Sequence, residues 1–352
     1  MTNNNHSEQL ETSKQFMEKV FAGESTERIP FAPAIYEHKA FLIDKTPSQV
    51  AKDSDLLTRS IFEEYSVYQP DLLTIGLDVY NVEAEAMGGD VKYYPDSSDI
   101  PVLQGPIVNS EADLRQFSIP DPRDDGRMPL MLEVGERVKA DLGSEVLIRG
   151  AISGPFTLAC SLAGQEKIIM EAYKKTSFIK DLLEKVTRVI SKYAKAWIDI
   201  GLGTIMFDSL ASPPLVPPDI YRDIIKPYHR EIFGILDKTE LSHKPLIIGG
   251  DTTKISSDLA DVGADLLLCD YNADLETYLD VAENKDISLR VNLDPQKIKN
   301  GTPGELEALA TEVAKRARKL NRFILGTGVL VYDTPVENVL AVKQVCKDRN
   351  IL

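Results

Sequence analysis

Short apolar runs alternate with stretches of helical periodicity along the whole chain. Eight such runs occur, at residues 28–35, 71–76, 146–150, 204–208, 244–248, 264–270, 288–292 and 322–328. Between them apolar residues recur at helical spacing, as at Val186, Ile190, Tyr193 and Trp197. Strands that alternate with helices build parallel sheets, and eight such units close a barrel. The pattern therefore predicts an α/β protein with a single (β/α)8 TIM barrel rather than two Rossmann halves.

Helix starts and connecting segments divide the chain further. Thr46, Thr302 and Thr334 are each followed by proline and then by Gln or Glu, a sequence typical of a capped helix N-terminus. The polar residues 1–11 predict a disordered tail, and residues 12–352 predict one barrel domain. Residues at about 90–125 are rich in Pro, Asp and Ser, which indicates an excursion that is functional or carries a hairpin of its own.

Most of the predicted strands end in polar residues. The carboxyl ends of barrel strands face the ligand, and buried carboxylates there act as acids or bases. Asp78, Asp208 and Asp251 are therefore the predicted catalytic residues, although Asp251 could instead cap the following helix. The predicted substrate-binding residues at the same rim are His38, Asn81, Glu83, Arg149, Ser153, Asp270, Asn292 and Thr327. His229 and His243 fall outside the predicted rim and are expected at the surface.

Composition and motifs exclude several classes of protein. Lys and Arg number 40 against 55 Asp and Glu, and a net charge of −15 disfavours a nucleic-acid partner. Three cysteines without a CxxC pair, an N-terminus unlike a signal peptide and no long apolar run predict a cytoplasmic protein with no membrane partner. The chain contains no Walker A, GxGxxG, HExxH or GxSxG motif, which argues against phosphate-handling and serine-hydrolase mechanisms.

Three segments resemble the uroporphyrinogen decarboxylase superfamily: IRGAISGPFTLA at 148–159, Phe207-Asp208-Ser209, and ILGTGVLVYDTPVEN at 324–338. The resemblance implies a barrel that carries either decarboxylation or corrinoid-dependent methyl transfer. The decarboxylase branch has an arginine-rich motif after the first strand, where this chain reads APAIYEHK at 32–39. It also has a histidine in the last strand, where this chain has Thr327. Without these arginines a polycarboxylate tetrapyrrole would be repelled, so decarboxylation is disfavoured.

The coenzyme M methyltransferase branch has a His-x-Cys zinc motif on strand five and a cysteine on strand eight. The matching positions here are Ile247, Gly249 and Thr327, which cannot form this zinc site. The resemblance that remains is to methoxy-aromatic O-demethylases. These enzymes pass a methyl group from a small methylated donor to the cobalt of a cobalamin held by a separate corrinoid protein.

Cleavage of an aryl ether needs a proton donor or a Lewis acid at the leaving oxygen. The predicted aspartates, or a metal site that includes His38 and Glu83, could supply it; whether a metal such as zinc is bound stays open. Methyl transfer between a corrinoid and tetrahydrofolate, with Asp208, Asp251 and Asn292 holding the pterin, is an alternative. A decarboxylase-like enzyme and a non-catalytic binding barrel are others. A homodimer is an alternative to a monomer.

Overall fold

The computed structural model describes residues 11–238 and 243–348. The predicted tail therefore lies outside the described residues, apart from Glu11. The strands are β1 (Phe31–Ala34), β2 (Leu72–Ile75), β3 (Val91–Lys92), β4 (Val102–Leu103), β5 (Leu147–Ser153), β6 (Gly203–Phe207), β7 (Pro245–Ile247), β8 (Leu266–Cys269), β9 (Ser288–Leu293) and β10 (Phe323–Val329).

The helices are α1 (Ser13–Ala22), α2 (His38–Phe41), α3 (Pro47–Val50), α4 (Ser54–Tyr68), α5 (Val82–Ala86), α6 (Glu111–Gln116), α7 (Met128–Leu142), α8 (Pro155–Ala163), α9 (Gln165–Lys174), α10 (Ser177–Asp199), α11 (Pro218–Ile220), α12 (Lys226–Leu236), α13 (Ser256–Ala260), α14 (Leu275–Lys285), α15 (Pro295–Asn300), α16 (Pro303–Ala317) and α17 (Val336–Cys346). Short 3₁₀ helices span Ser209–Ala211 and Thr253–Ile255, and a π-helical turn spans Tyr221–Ile225.

Eight parallel strands form one sheet in the order β1-β10-β9-β8-β7-β6-β5-β2. The two ends of this order meet where the Asp71 N–H donates to the Phe31 carbonyl at 2.9 Å, beside β2 and β1. Each predicted apolar run overlaps one of these strands, so the prediction of a (β/α)8 barrel is confirmed. The excursion carries the antiparallel pair β3 and β4, followed by α6.

The barrel interior is closed at its amino-terminal end by α1. Phe16, Met17, Val20 and Phe21 of this helix join the cluster of inward-facing strand residues, which includes Ile205 and Leu266. The helix begins where Thr12 and Gln15 form a reciprocal capping box. With this end filled by side chains, the carboxyl end of the barrel is the open one.

Two local predictions are corrected by the structure. Thr334 was expected to cap a helix, but α17 begins at Val336, and the Thr334 hydroxyl donates to the Val331 carbonyl at 2.7 Å. The third barrel strand was expected to end at Gly150, whereas β5 continues to Ser153. Within the described part of the chain, no helix has the length and apolar character needed to cross a membrane.

Candidate active site

A cavity of about 330 Å³ opens at the carboxyl ends of the barrel strands. Its volume is at the lower end of the roughly 300–1,000 Å³ range typical of small-molecule sites. Apolar walls come from Leu77 and Val79 after β2, Phe207 on β6, Ile247 on β7 and Leu268 on β8. The polar lining residues are Tyr36, Glu37, Asp78, Tyr80, Ser209, Asp270, Tyr271, Arg290 and Asn292.

Arg290 supplies a buried cation to this cavity from the middle of β9. Its Nη2 donates to the Thr327 carbonyl at 3.0 Å, while its Nε and the Asn292 Oδ1 have no hydrogen-bond partner among the described residues. Gly326 makes room for both, since a Cβ there would lie 2.5 Å from the Arg290 Nε. Burial lowers the pKa of Arg290, an effect that Tyr36 and Asp270 oppose. A ligand acceptor group could therefore pair with this guanidinium.

Asp78 is held by a buried arginine. Arg127 Nη1 and Nη2 donate to the two Asp78 carboxylate oxygens at 2.8 and 2.7 Å, and Arg127 Nε pairs with Glu85. Burial alone would lower the pKa of Arg127, but these two carboxylates raise it above its usual value. Asn81 donates to the Pro101 carbonyl at 2.7 Å, which ties the excursion to the same corner. Asp78 thus acts as a hydrogen-bond acceptor that fixes the rim.

Two other groups at the cavity can donate a proton or a hydrogen bond. The Tyr80 and Ser209 hydroxyls lie 2.8 Å apart, and burial raises the pKa of Tyr80. Glu37 follows β1, and burial also raises the pKa of its carboxyl. No ion pair or side-chain hydrogen bond to Glu37 is formed by the residues that the structure describes. Because burial favours its protonated form, Glu37 is a candidate acid for protonating a ligand.

Comparison with known proteins assigns the chain to a protein family. The model of the uroporphyrinogen decarboxylase family matches residues 12–349. The chain belongs to the uroporphyrinogen decarboxylase family. Among its relatives, the uroporphyrinogen decarboxylase of Synechococcus sp. (strain CC9605) is 26% identical over 331 residues, covering 90% of this chain and 91% of the relative. That of Chlorobium luteolum is 27% identical over 316 residues, covering 86% and 85%.

A solved structure shares the fold across nearly all of both chains. It is described as a methyltransferase from Methanosarcina mazei, with a TM-score of 0.82 and 22% sequence identity, covering 96% of this chain and 98% of that chain. At this identity the likeness concerns the fold. Family membership and fold therefore agree with the resemblance found in the sequence.

In this family member, three of the predicted site residues line the cavity: Asp78, Asp270 and Asn292. Asp270 accepts the Gly250 N–H at 2.7 Å and faces Arg290 across the cavity. The sequence did not single out Glu37, Tyr80 or Arg290. Arg290 lies two residues before Asn292, and the alternation of a strand that puts Asn292 inside the barrel also puts Arg290 there.

Asp208 faces away from the cavity toward the start of α8. Its carboxylate accepts the Thr157 N–H at 2.6 Å and the Phe156 N–H at 3.3 Å, and lies 2.7 Å from His229 Nε2. The other ring nitrogen of His229 lies 3.0 Å from the Tyr221 hydroxyl. The expectation that His229 is a surface residue is wrong, because its side chain is fully buried in this network.

Asp251 and His38 also lie outside the cavity lining. Asp251 is exposed, and its Oδ1 accepts the Thr253 N–H at 3.1 Å and hydroxyl at 2.6 Å in a local Asx turn, while Thr252 is the N-cap residue of the following 3₁₀ helix. His38 is buried, with Nδ1 2.8 Å from the Tyr332 carbonyl and Nε2 2.8 Å from the Tyr68 hydroxyl. Burial lowers the pKa of His38. Neither residue is placed to contact a ligand in this cavity.

The other predicted residues serve contacts within the protein. Glu83 accepts the Ser153 N–H at 2.6 Å and hydroxyl at 3.0 Å, and Thr327 accepts the Ala34 N–H at 3.0 Å. Arg149 lies near the opposite end of the barrel, in contact with Phe21 of α1. Eight of the predicted site residues do not line the cavity: His38, Asn81, Glu83, Arg149, Ser153, Asp208, Asp251 and Thr327.

Two further predictions concern the exposure of His243 and a metal site. His243 is half-buried rather than exposed and stacks on Phe21 at 3.6 Å between ring centroids. Residues 11–238 and 243–348 contain no group of three or more His, Cys, Asp or Glu side chains that could hold a metal ion. The site imagined around His38 and Glu83 is therefore not assembled by these residues.

Proposed function

We propose that this protein is a corrinoid-dependent methyltransferase that moves a methyl group from a small methylated donor, such as a methoxy-aromatic compound, to the cobalt of a separate corrinoid protein. The observation that carries the proposal is the character of the cavity at the barrel mouth. It is small and mostly apolar, has one arginine, and opens at a rim of exposed apolar side chains.

The walls suit a flat apolar donor better than a tetrapyrrole. Tyr36 and Tyr80 pack edge-on against Phe207, with ring centroids 5.7 and 6.3 Å apart, and form an aromatic wall. A substrate with many carboxylates would instead meet the acidic lining residues Asp78 and Asp270, with Arg290 as the arginine of the lining. The activity named for the sequence relatives is therefore disfavoured for this cavity.

The rim suits a protein partner that covers the mouth. Ile100 and Tyr271 are 43% exposed and Val329 is 46% exposed, and all three line the cavity entrance. Exposed apolar groups clustered around a pocket are typical of interaction surfaces. A corrinoid protein docked there would bring its cobalt toward the donor.

The docked corrinoid would supply the nucleophile that accepts the methyl group. The bond between the methyl carbon and the ether oxygen breaks, the bonding electron pair stays on the oxygen, and that oxygen takes up one proton. Glu37 is the proposed proton donor, and the hydroxyl pair of Tyr80 and Ser209 is proposed to orient the leaving oxygen. Arg290 and Asn292 are proposed to hold a polar substituent of the donor.

The tetrahydrofolate alternative loses support in the structure. It relied on Asp208, Asp251 and Asn292 acting together on a pterin, yet of these three only Asn292 lines the cavity. Asp208 and Asp251 are engaged with backbone N–H groups elsewhere.

An anaerobic absorbance assay tests the proposal. Purified protein is mixed with a reduced corrinoid protein and a panel of methoxyarenes, and the cobalamin spectrum is followed for conversion from the cob(I)alamin to the methylated form. We expect conversion that depends on the enzyme and falls about 100-fold in Tyr80→Phe, the lower end of the loss caused by removing one positioned hydrogen-bond donor.

Tyr173→Phe is the matched control, because Tyr173 is an exposed residue of α9 that does not line the cavity. Absence of methylated cobalamin with every donor, together with loss of CO₂ from uroporphyrinogen, would contradict the proposal. Turnover that requires tetrahydrofolate would instead favour the pterin alternative.

A further inference from the structure

A second cavity, of about 260 Å³, lies at the amino-terminal end of the barrel. It is lined by residues of α1, of the turns that precede β5 and β6, and of β5 itself. The charged or titratable residues that line it are Lys14, Glu18, Lys139, Arg149 and His243. None of these residues lines the cavity at the mouth.

Arg149 is the buried group of this cavity. It is 1% exposed, and neither its Nη1 nor its Nη2 has a hydrogen-bond partner among the described residues. Its guanidinium lies 5.5 Å from the centroid of the Phe21 ring. Asp265 attracts it electrostatically, but no ion pair within 4.0 Å joins Arg149 to an acid of the described chain. Burial lowers the pKa of Arg149 to about 10, so the group remains a cation at neutral pH.

Two lysines add to the positive charge at the entrance. Lys14 donates to the Gly143 carbonyl at 3.3 Å and Lys139 to the Ile200 carbonyl at 2.8 Å. Each ammonium has three N–H donors, so two remain for another acceptor. Glu18 is the acid of the lining, and burial together with Arg149 lowers the pKa of His243 to about 3, which leaves the imidazole neutral.

Space for a ligand is left by glycines rather than by large side chains. Gly201 and Gly203 border the cavity, and a Cβ at Gly203 would lie 3.9 Å from the Arg149 Cγ. Gly201 has a φ of +77°, and a Cβ there would lie 2.3 Å from the Lys139 Nζ. A side chain at Gly201 would therefore displace the Lys139 ammonium, whereas one at Gly203 would only touch the Arg149 side chain.

We propose that this cavity is a second ligand site that binds a phosphate group, as inorganic phosphate or as part of a small monophosphate ester. The two free ends of the Arg149 guanidinium match two oxygens of a tetrahedral anion, and Lys14 and Lys139 add two ammonium groups to the lining of the same cavity. Three cations against one acid in the lining favour a dianion over a monoanion such as acetate. The site lies in a protein whose net charge is −15, so general attraction of anions does not account for it.

Isothermal titration calorimetry of the full chain with inorganic phosphate, at constant ionic strength, tests this proposal. We expect saturable 1:1 binding of phosphate and weaker binding of acetate. Arg149→Met should weaken phosphate binding at least about tenfold. Arg290→Met is the matched control, because Arg290 is the other buried barrel arginine with an unpartnered nitrogen and lies at the mouth. Phosphate affinity in Arg290→Met should equal that of the unmodified protein.

Lys139→Met keeps the test valid if Arg149→Met does not fold. Lys139 is exposed, so its replacement should leave the fold intact and weaken the binding of phosphate about twofold to fivefold. A parallel titration with glycerol phosphate distinguishes the two sources, since an ester that binds more tightly than the free ion identifies the ester as ligand. Failure to saturate, unchanged affinity in both the Arg149 and Lys139 variants, or loss of binding in Arg290→Met would overturn the proposal.

Discussion

Glu83 predicts a measurable dependence of stability on pH. Its carboxyl is fully buried beside Ser153, and burial raises its pKa to about 7 from the usual 4.5. Because the folded pKa is the higher one, the proton on Glu83 stabilises the fold completely below pH 4.5. That contribution is lost as the pH rises through about 7. Replacing Glu83 by Gln should remove the effect, since the amide stays neutral and can still accept the Ser153 N–H.

The size of the effect follows from the two pKa values. Each tenfold change in proton affinity corresponds to about 1.4 kcal/mol, so the difference amounts to about 3 kcal/mol in the free energy of unfolding. About 2 kcal/mol of this falls between pH 5.5 and 8. For a chain of this length the melting temperature should fall by about 3 °C over that interval because of Glu83 alone.

Differential scanning calorimetry at several pH values between 5.5 and 8 measures this. The melting temperature of Glu83→Gln, relative to the unmodified protein, should rise steadily across the interval. Glu283→Gln is the control, since Glu283 is an exposed residue of α14 and its replacement should give a curve parallel to that of the unmodified protein. Parallel curves for Glu83→Gln as well would refute the claim that burial holds a proton on Glu83.

Three further variants separate structural from chemical roles. Asp208→Ala should destabilise the fold by about 3–5 kcal/mol, seen as a large drop in melting temperature, because it leaves buried His229 and the start of α8 without an acceptor; a change below about 1 kcal/mol would contradict this. Asp251→Ala should cost at most about 1 kcal/mol and leave methyl transfer unchanged, since the exposed Asp251 only accepts local hydrogen bonds from Thr253; loss of turnover would return it to the site. Methyl transfer should decline as the pH rises through the elevated pKa of Glu37, and Glu37→Gln should lack that decline; an identical pH profile in the variant would remove Glu37 as proton donor.

The barrel could be predicted from the sequence because its evidence is local. Each strand is a short apolar run, and the order of runs and helices is enough to indicate the closed parallel sheet. Thr46 and Thr302 form the capping boxes that their sequence indicates. The composition of the excursion likewise indicated a segment with structure of its own, which proved to hold the hairpin β3–β4.

The site was harder to predict because the ends of strands depend on tertiary contacts. Gly150 looked like the end of a strand, but it is a close-packing position, where a Cβ would lie 2.0 Å from Trp197 of α10. β5 therefore continues for three residues, and Arg149 lies near its beginning rather than at the ligand end. Asp251 failed for a related reason, since the two glycines after β7 carry it beyond the cavity.

Buried polar side chains that pair across a long stretch of sequence could not be identified from local sequence patterns. Asp208 ends a strand, as a site residue should, and its partner His229 has helical periodicity around it. Only the tertiary structure, which brings His229 of α12 and the start of α8 to Asp208, shows that the two side chains pair with each other instead of facing a ligand. Arg290 was the one missed cavity residue with a local signal, through its alternation with Asn292 on β9.

The proposed function requires that a methyl group pass from a donor bound in the mouth cavity to a corrinoid. The most direct measurement uses a donor labelled with ¹³C in its O-methyl group, mixed anaerobically with this protein and a reduced corrinoid protein, and follows the label by NMR. We predict that the ¹³C appears on the corrinoid in step with formation of the demethylated phenol, and that neither product forms without the enzyme. Label that stays on the donor while the protein decarboxylates uroporphyrinogen would contradict the account.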